Sequence, residues 1–145
     1  MEEIRPLVHR VSYFETDQMG IVHHSNYIRW LEDARTDYMK QRGVSYREIE
    51  AMGVIMPVVS VACSYKQSAH FDELAFVSTR IRFFSGVRLV YDYEVSGEDG
   101  ALLATGTSEH CFLDRETRKP IHLKRKLPRL CELMERLAEE DKTED

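Results

Sequence analysis

One apolar stripe of helical period constrains the fold of this chain more than any other pattern in the sequence. Its members follow the spacing i, i+4, i+7, i+11 and are Tyr27, Leu31, Ala34 and Tyr38. Ile28 and Trp30 widen the stripe, which predicts a helix that is buried over much of its circumference. Gly43 stands in the position that commonly follows a helix C-terminus. A helix of this kind needs other apolar elements to cover it.

Most of the remaining sequence has the pattern of β-strands. Strands are predicted at residues 7–15, 54–68, 74–84, 87–96 and 101–113. Shorter helices are predicted from Ser45 to Met52 and from Leu127 to Leu137. One early buried helix followed by consecutive strands predicts an α+β fold. In this fold a long central helix is wrapped by a curled antiparallel sheet of about five strands.

Length and composition exclude several other classes of protein. The 145 residues fit one domain, residues 1–145. No apolar run reaches the roughly 20 residues that a membrane-spanning helix needs, and the acidic N-terminus does not resemble a secretory signal. A formal net charge of -5 argues against a nucleic-acid partner. The three cysteines suggest neither a disulfide framework nor a metal site, so a cytoplasmic location is expected.

The segment YFETDQMGIVHHSNY, residues 13–27, joins the first predicted strand to the long helix and contains groups suited to chemistry. Asp17 supplies a carboxylate, and Gly20 allows a tight turn or the close approach of a ligand. The first N–H groups of a helix lack intrahelical acceptors, and the helix dipole behind them favours an anion. The junction therefore combines a nucleophile or base with donors for a developing oxyanion.

The residues of this segment also resemble a known family. The run Asp17-x-x-Gly20-Ile21-Val22-x-His24-x-Asn26-Tyr27, followed by Leu31, Ala34-Arg35 and Gly43, resembles the 4-hydroxybenzoyl-CoA thioesterase-like family of hotdog-fold acyl-CoA thioesterases. The resemblance implies hydrolysis of an acyl- or aroyl-CoA to the free acid and CoA. No metal and no cofactor are implied, since coenzyme A is part of the substrate. It also implies dimers that join their sheets edge to edge, with active sites at the interface.

These patterns and the resemblance assign candidate site residues. Asp17 is expected to act as the nucleophile, through a mixed anhydride, or as the base for water, and His24 to contribute its backbone N–H. The substrate-binding candidates are Gly20, His23, Tyr27, Val61, Ser85 and Arg88. Arg88 is the first choice for a phosphate of CoA, and an acyl carrier protein is the alternative partner. His23 departs from the family pattern, because an aromatic residue often precedes the motif histidine.

The expected assembly follows from the apolar run Val58, Val59 and Val61, which is poorly suited to a solvent-facing sheet edge. Pairing that edge with its two-fold mate predicts an obligate homodimer, which can double to a homotetramer. Such an assembly would also close a pocket over Asp17 from the second subunit.

Other interpretations of the same residues remain open. The chain could be a non-catalytic module that binds acyl-CoA or acyl carrier protein, although Asp17 argues against that role. It could also be a hotdog dehydratase or hydratase, in which Asp17 and His24 imitate a carboxylate–histidine pair. A metal site is disfavoured, since adjacent histidines on an extended backbone point apart and Asp17 alone is a poor third ligand. Asp17 followed by Gly20 is also common in a plain turn.

Overall fold

A long helix and an antiparallel sheet dominate the structure, a computed structural model that describes residues 3–142. The helices are α1 (His24–Gln41), α2 (Tyr46–Ala51), α3 (Leu123–Lys126) and α4 (Pro128–Lys142), and a short 3-10 helix spans Tyr13–Glu15. The strands are β1 (Leu7–Arg10), β2 (Val54–Ile55), β3 (Val58–Tyr65), β4 (Leu74–Phe84), β5 (Arg88–Gly97), β6 (Leu102–Cys111) and β7 (Leu113–Asp114). Within this range, no helix is long and apolar enough to cross a membrane.

Five of these strands form one antiparallel sheet in the order β1-β4-β5-β6-β3. Helix α1 packs on this sheet through contacts with β1, β3 and β4. Strands β2 and β7 pair separately as a two-stranded sheet. The predicted α+β architecture, with one long helix against five antiparallel strands, is therefore confirmed.

The predicted helical stripe forms the centre of the core. Its four members, Tyr27, Leu31, Ala34 and Tyr38, are all buried. Trp30 is buried with them, whereas Ile28 is partly exposed at the margin of the stripe. Helix and sheet approach closely at Gly106 on β6, where an added Cβ atom would lie 2.7 Å from Leu31 Cδ1. A larger residue at Gly106 would therefore force the Leu31 side chain to move.

The first strand is shorter than predicted, since β1 ends at Arg10 and a 3-10 helix replaces the rest of the expected strand. The cause is a capping box. In it the N–H of Ser12 donates to Glu15 Oε1 across 2.8 Å, and the 3-10 turn adds a bond from the N–H of Glu15 to the carbonyl oxygen of Ser12 across 3.0 Å. These local bonds satisfy backbone groups that a longer strand would have paired. Tyr13 is exposed as a result.

Two other predicted strands are each divided in the structure. Residues 54–68 form β2 and β3 with Pro57 between them, and residues 101–113 form β6 and β7. Strand β3 pairs only with β6, so it is an edge strand of the large sheet. The prediction from Pro57 of an edge or a strand start is therefore confirmed.

A buried carboxylate fixes the last helix to the rest of the structure. Asp141 of α4 is 1% exposed and accepts hydrogen bonds from the hydroxyl of Tyr38, the guanidinium of Arg42 and the N–H of Ile81. The Ile81 bond measures 2.7 Å and lies beside a register shift in the pairing of β4 with β5. Asp141 therefore satisfies a strand N–H at a point where the sheet is irregular.

Candidate active site

The segment between the 3-10 helix and α1 is a loop closed by backbone hydrogen bonds. The N–H of Asp17 donates to the carbonyl oxygen of Ile21 across 2.9 Å, and Thr16 and Val22 form an isolated antiparallel bridge. Gly20 closes the turn with a φ of 79°, a conformation that favours glycine. The loop therefore returns the chain past Asp17 immediately before α1 begins.

The carboxylate of Asp17 is held by one oxygen. Its Oδ1 accepts a hydrogen bond from the N–H of Met19 across 2.8 Å, as in a turn stabilised by an aspartate side chain. None of residues 3–142 donates a hydrogen bond to Oδ2. This turn explains the hydrogen bond to Oδ1 and the orientation of the carboxylate. It leaves Oδ2 available to a substrate or a water molecule.

Helix α1 begins at His24, three residues before the apolar stripe does. The preceding residue, His23, is the N-cap, and its Nδ1 accepts the N–H of Ser25 across 3.3 Å. The N–H of His24 reaches no acceptor in the described part of the chain, as expected for the first residue of a helix. A free N–H at the positive end of the helix dipole is suited to stabilise an oxyanion.

The two adjacent histidine rings lie together, so the expectation that they point apart is wrong. Their centroids are 4.3 Å apart, because His24 already has helical backbone geometry while His23 is extended. Among the described residues, no group of three or more His, Cys, Asp or Glu side chains could hold a metal ion.

One pocket of about 270 Å³ brings the central motif residues together. Asp17, His24 and Tyr27 line it, with Tyr65 and Lys66 from the end of β3. The Tyr27 and Tyr65 rings meet edge to face with centroids 5.1 Å apart, which gives the pocket an aromatic wall. Sequence reasoning missed Tyr65 and Lys66, because they belong to no motif and reach the site only through strand pairing.

A larger depression, of about 540 Å³, lies on the outer face of the sheet. It contains none of the motif residues, and its charged side chains are Glu94 and the ion pair of Arg80 with Asp92, whose atoms lie 3.7 Å apart. The smaller pocket beside Asp17 is therefore the candidate active site.

Of the six predicted substrate-binding residues, only Tyr27 lines that pocket. Gly20 and His23 belong to the same loop but are not among its lining residues, and Val61, Ser85 and Arg88 lie on other parts of the sheet. Val61 is in the middle of edge strand β3 and is partly exposed. Ser85 and Arg88 form the β4–β5 turn, at the opposite end of the sheet from Tyr65. The Arg88 guanidinium is 51% exposed and donates to Glu109 Oε1 across 2.8 Å. Within one chain Val61, Ser85 and Arg88 do not line the Asp17 pocket, and their contacts with substrate stay predictions.

Comparison with known proteins gives a consistent result. The sequence profile of the thioesterase-like superfamily matches residues 11–138. The candidate acyl-CoA thioesterase YneP of Bacillus subtilis is 42% identical over 118 residues, which cover 81% of this chain and 86% of YneP. The acyl-CoA thioester hydrolase YbgC of Escherichia coli O6:H1 is 29% identical over 94 residues, which cover 65% of this chain and 70% of YbgC.

A solved structure shares the fold over almost its whole length. The DHNA-CoA thioesterase from Staphylococcus aureus is 35% identical with a TM-score of 0.91, and the match covers 97% of this chain and 95% of that one. The hotdog fold and the resemblance seen in the Asp17–Tyr27 motif are thereby confirmed. The chain belongs to the thioesterase-like superfamily.

Proposed function

We propose that this chain hydrolyses the thioester of an acyl- or aroyl-CoA, with Asp17 as the reacting carboxylate and the N–H of His24 as the oxyanion donor. One observation carries the proposal. A single pocket is lined by a carboxylate with a free oxygen and by the residue whose unpaired N–H begins α1. Thioester hydrolysis needs these two elements, a group that attacks or activates water and a donor for the developing negative charge.

Two routes use the same atoms. In the first, an Asp17 oxygen attacks the thioester carbonyl carbon, the C–S bond breaks and CoA leaves as a thiolate. Asp17 and the acyl group are then joined as a mixed anhydride, which water hydrolyses. In the second, Asp17 takes a proton from water as the water oxygen attacks the same carbon, and the thiolate leaves and takes up a proton. Neither route requires a general acid, because a thiolate is a good leaving group.

We further propose that the enzyme is a homodimer joined through β3. This edge strand pairs on one side only, and its apolar residues Val58, Val59 and Val61 are exposed. A two-fold axis across the middle of β3 would cover them with the same residues of a second copy. Antiparallel pairing would also bring the Tyr65 end of one strand beside the Val58 end of its mate. The pocket of each subunit would then be completed by the other, and dimers could associate further into a tetramer.

The same arrangement offers cations for the phosphates of CoA. Arg115 and Arg118 line a depression of about 350 Å³ next to Pro57, which precedes β3. Arg88 lies at this end of the sheet as well. In the proposed dimer this end of the sheet would lie beside the Tyr65 end of the other subunit's β3, and guanidinium groups bind phosphate well. An acyl carrier protein is the alternative carrier of the thioester.

We place the enzyme in the cytoplasm. The three cysteines, Cys63, Cys111 and Cys131, are free thiols, which suits a reducing compartment.

A panel of CoA thioesters tests the proposed function. Acetyl-, hexanoyl-, palmitoyl- and benzoyl-CoA are incubated with the enzyme, and the release of CoA thiol is measured with a chromogenic disulfide. The same acyl groups on acyl carrier protein show which carrier is preferred. Turnover of at least one thioester by the wild type, and its loss in Asp17→Asn, is expected. Turnover that survives in Asp17→Asn would contradict the proposed role of the carboxylate.

A further inference from the structure

A second carboxylate lies two residues before Asp17 and is buried. Glu15 is 5% exposed, and its side chain accepts hydrogen bonds from three separate parts of the structure. Oε1 lies 2.8 Å from both the N–H of Ser12 and the ring nitrogen of His9 on β1, and Oε2 accepts the indole N–H of Trp30 on α1 across 2.7 Å. The carboxylate therefore joins β1, the 3-10 helix and α1.

The backbone of Glu15 fixes the beginning of α1 as well. Its carbonyl oxygen accepts the N–H of the N-cap residue His23 across 2.8 Å and the side-chain amide of Asn26 across 2.9 Å. The loop that carries Asp17 thus starts at a residue that is bonded to the N-cap and to the first turn of α1. Any shift of Glu15 would change the position of the Asp17 carboxylate relative to the His24 N–H.

The charge state of Glu15 suits this role. Burial acts to raise its pKa, but hydrogen bonds from the Ser12 N–H, His9 and Trp30 outweigh burial and hold the pKa below its ordinary value. An ionised carboxylate only accepts hydrogen bonds, so it can satisfy all of these donors. A glutamine of the same shape cannot, because its NH₂ group would face one of the donors.

We propose that Glu15 is a positioning residue that sets the geometry between the Asp17 carboxylate and the N–H of His24. The proposal rests on the proposed function of those two groups. It predicts an effect on the chemical step rather than on substrate binding, because Glu15 is buried behind the loop and is not among the residues that line the pocket. Small displacements of reacting groups cost large factors in rate.

The test is Glu15→Gln, assayed with the thioester that the wild type turns over fastest. We expect kcat to fall by about tenfold or more while KM stays within about twofold. Trp30→Phe removes the indole donor and should lower kcat by less. In the double variant the glutamine NH₂ no longer meets that donor, so kcat should be at least as high as in Glu15→Gln alone. Two results would overturn the proposal. One is a double variant whose loss of kcat equals the product of the losses in the two single variants, and the other is a wild-type kcat in Glu15→Gln.

A matched control distinguishes an effect on the geometry of the site from an effect on the stability of the whole protein. Asp141→Asn neutralises another buried carboxylate with three donors, remote from Asp17. If it lowers Tm as much as Glu15→Gln does and keeps kcat within about twofold, the effect of Glu15 is local. An equal loss of kcat in Asp141→Asn would overturn the proposal. If Glu15→Gln does not fold, Trp30→Phe decides, since a wild-type kcat there is also incompatible with the proposal.

Asp17→Asn, measured in parallel, distinguishes a failure of the role proposed for Glu15 from a failure of the role proposed for Asp17. If Asp17→Asn is inactive and Glu15→Gln is fully active, only the positioning role is overturned. If Asp17→Asn is fully active, the proposed catalytic role of Asp17, on which the role of Glu15 rests, is overturned.

Discussion

The hydroxyl of Tyr65 donates a hydrogen bond to the backbone carbonyl oxygen of His24 across 3.1 Å. Tyr65 ends the edge strand β3, and His24 begins α1. Burial, with the neighbouring Cys63 thiol and Tyr27, raises the pKa of Tyr65 to about 12, so the hydroxyl keeps its proton at neutral pH. The bond ties the edge through which we expect two subunits to pair to the helix turn that we propose as the source of the oxyanion donor.

The first prediction concerns the reacting carboxylate. Asp17→Asn keeps the size of the side chain and removes its charge, so kcat should fall by about 10²-fold or more. Circular dichroism should show an unchanged fold, because Asn can still accept the Met19 N–H. Asp33→Asn, at an exposed position of α1, is the matched control and should keep its activity.

The second prediction separates the backbone of His24 from its ring. His24→Ala keeps the N–H, whereas His24→Pro removes it. Proline is tolerated at the first position of a helix, and the extended ψ of 134° at His23 suits a residue before proline. We expect a loss of kcat within about fivefold for Ala and about 10²-fold or more for Pro. A loss in His24→Ala as deep as that in Asp17→Asn would instead favour a catalytic imidazole and the dehydratase-like alternative.

The third prediction concerns assembly. Val61→Glu places like charges opposite each other across the proposed two-fold axis and should yield monomers with little activity. Light scattering at micromolar concentration, combined with the thioesterase assay, measures both properties. Val87→Glu, at an exposed valine in the β4–β5 turn, is the control that should stay dimeric. A wild-type monomer with full activity would contradict the shared site.

The fourth prediction concerns pH and the buried side chain of His110, which is 1% exposed. Burial, and then the nearby Arg35 guanidinium, lower the pKa of His110 to about 4. Between this value and the unfolded value near 6.5 the unfolded chain binds a proton that the folded protein does not. The free energy of unfolding should therefore fall by roughly 3 kcal/mol as the pH is lowered through this window.

Urea denaturation of the wild type and of His110→Gln at several pH values isolates this contribution, since the other titrating groups are common to both proteins. The variant should show the flatter dependence between pH 6.5 and pH 4. Parallel curves would show that His110 is not responsible.

The fifth prediction concerns metals. The proposed chemistry uses a carboxylate and a backbone N–H, so dialysis against a chelator should leave kcat unchanged. Loss of activity that is restored by a divalent cation would contradict the metal-free mechanism.

The sequence was sufficient to predict those features that depend on local periodicity or on a contiguous motif. The stripe from Tyr27 to Tyr38 specified the buried helix, because burial on one helical face leaves a 3.6-residue pattern. The closeness of Asp17 to His24 followed from a loop of only a few residues between them. The stripe alone indicated a helix only from Tyr27, because an imidazole at the N-cap carries no signal in an apolar stripe, whereas the motif pointed to the N–H of His24.

Features that depend on long-range pairing could not be predicted in the same way. Tyr65 enters the site because β3 ends beside α1, a contact between residues 41 positions apart. Ser85 and Arg88 were selected from their turn, and spacing along the chain does not reveal which end of a sheet a turn occupies. The capping box of Glu15 shortened β1, since two local hydrogen bonds competed successfully with strand pairing.

The contacts of Asp141 also bear on the order in which the chain folds during synthesis. Its carboxylate satisfies Ile81 and Tyr38, which lie 60 and 103 positions earlier in the sequence. Until Asp141 leaves the ribosome, the Arg42 guanidinium and the Ile81 N–H lack their partner, although α1 and β4 have long been translated. The docking of α4 therefore depends on a residue that is synthesised after every strand of the sheet.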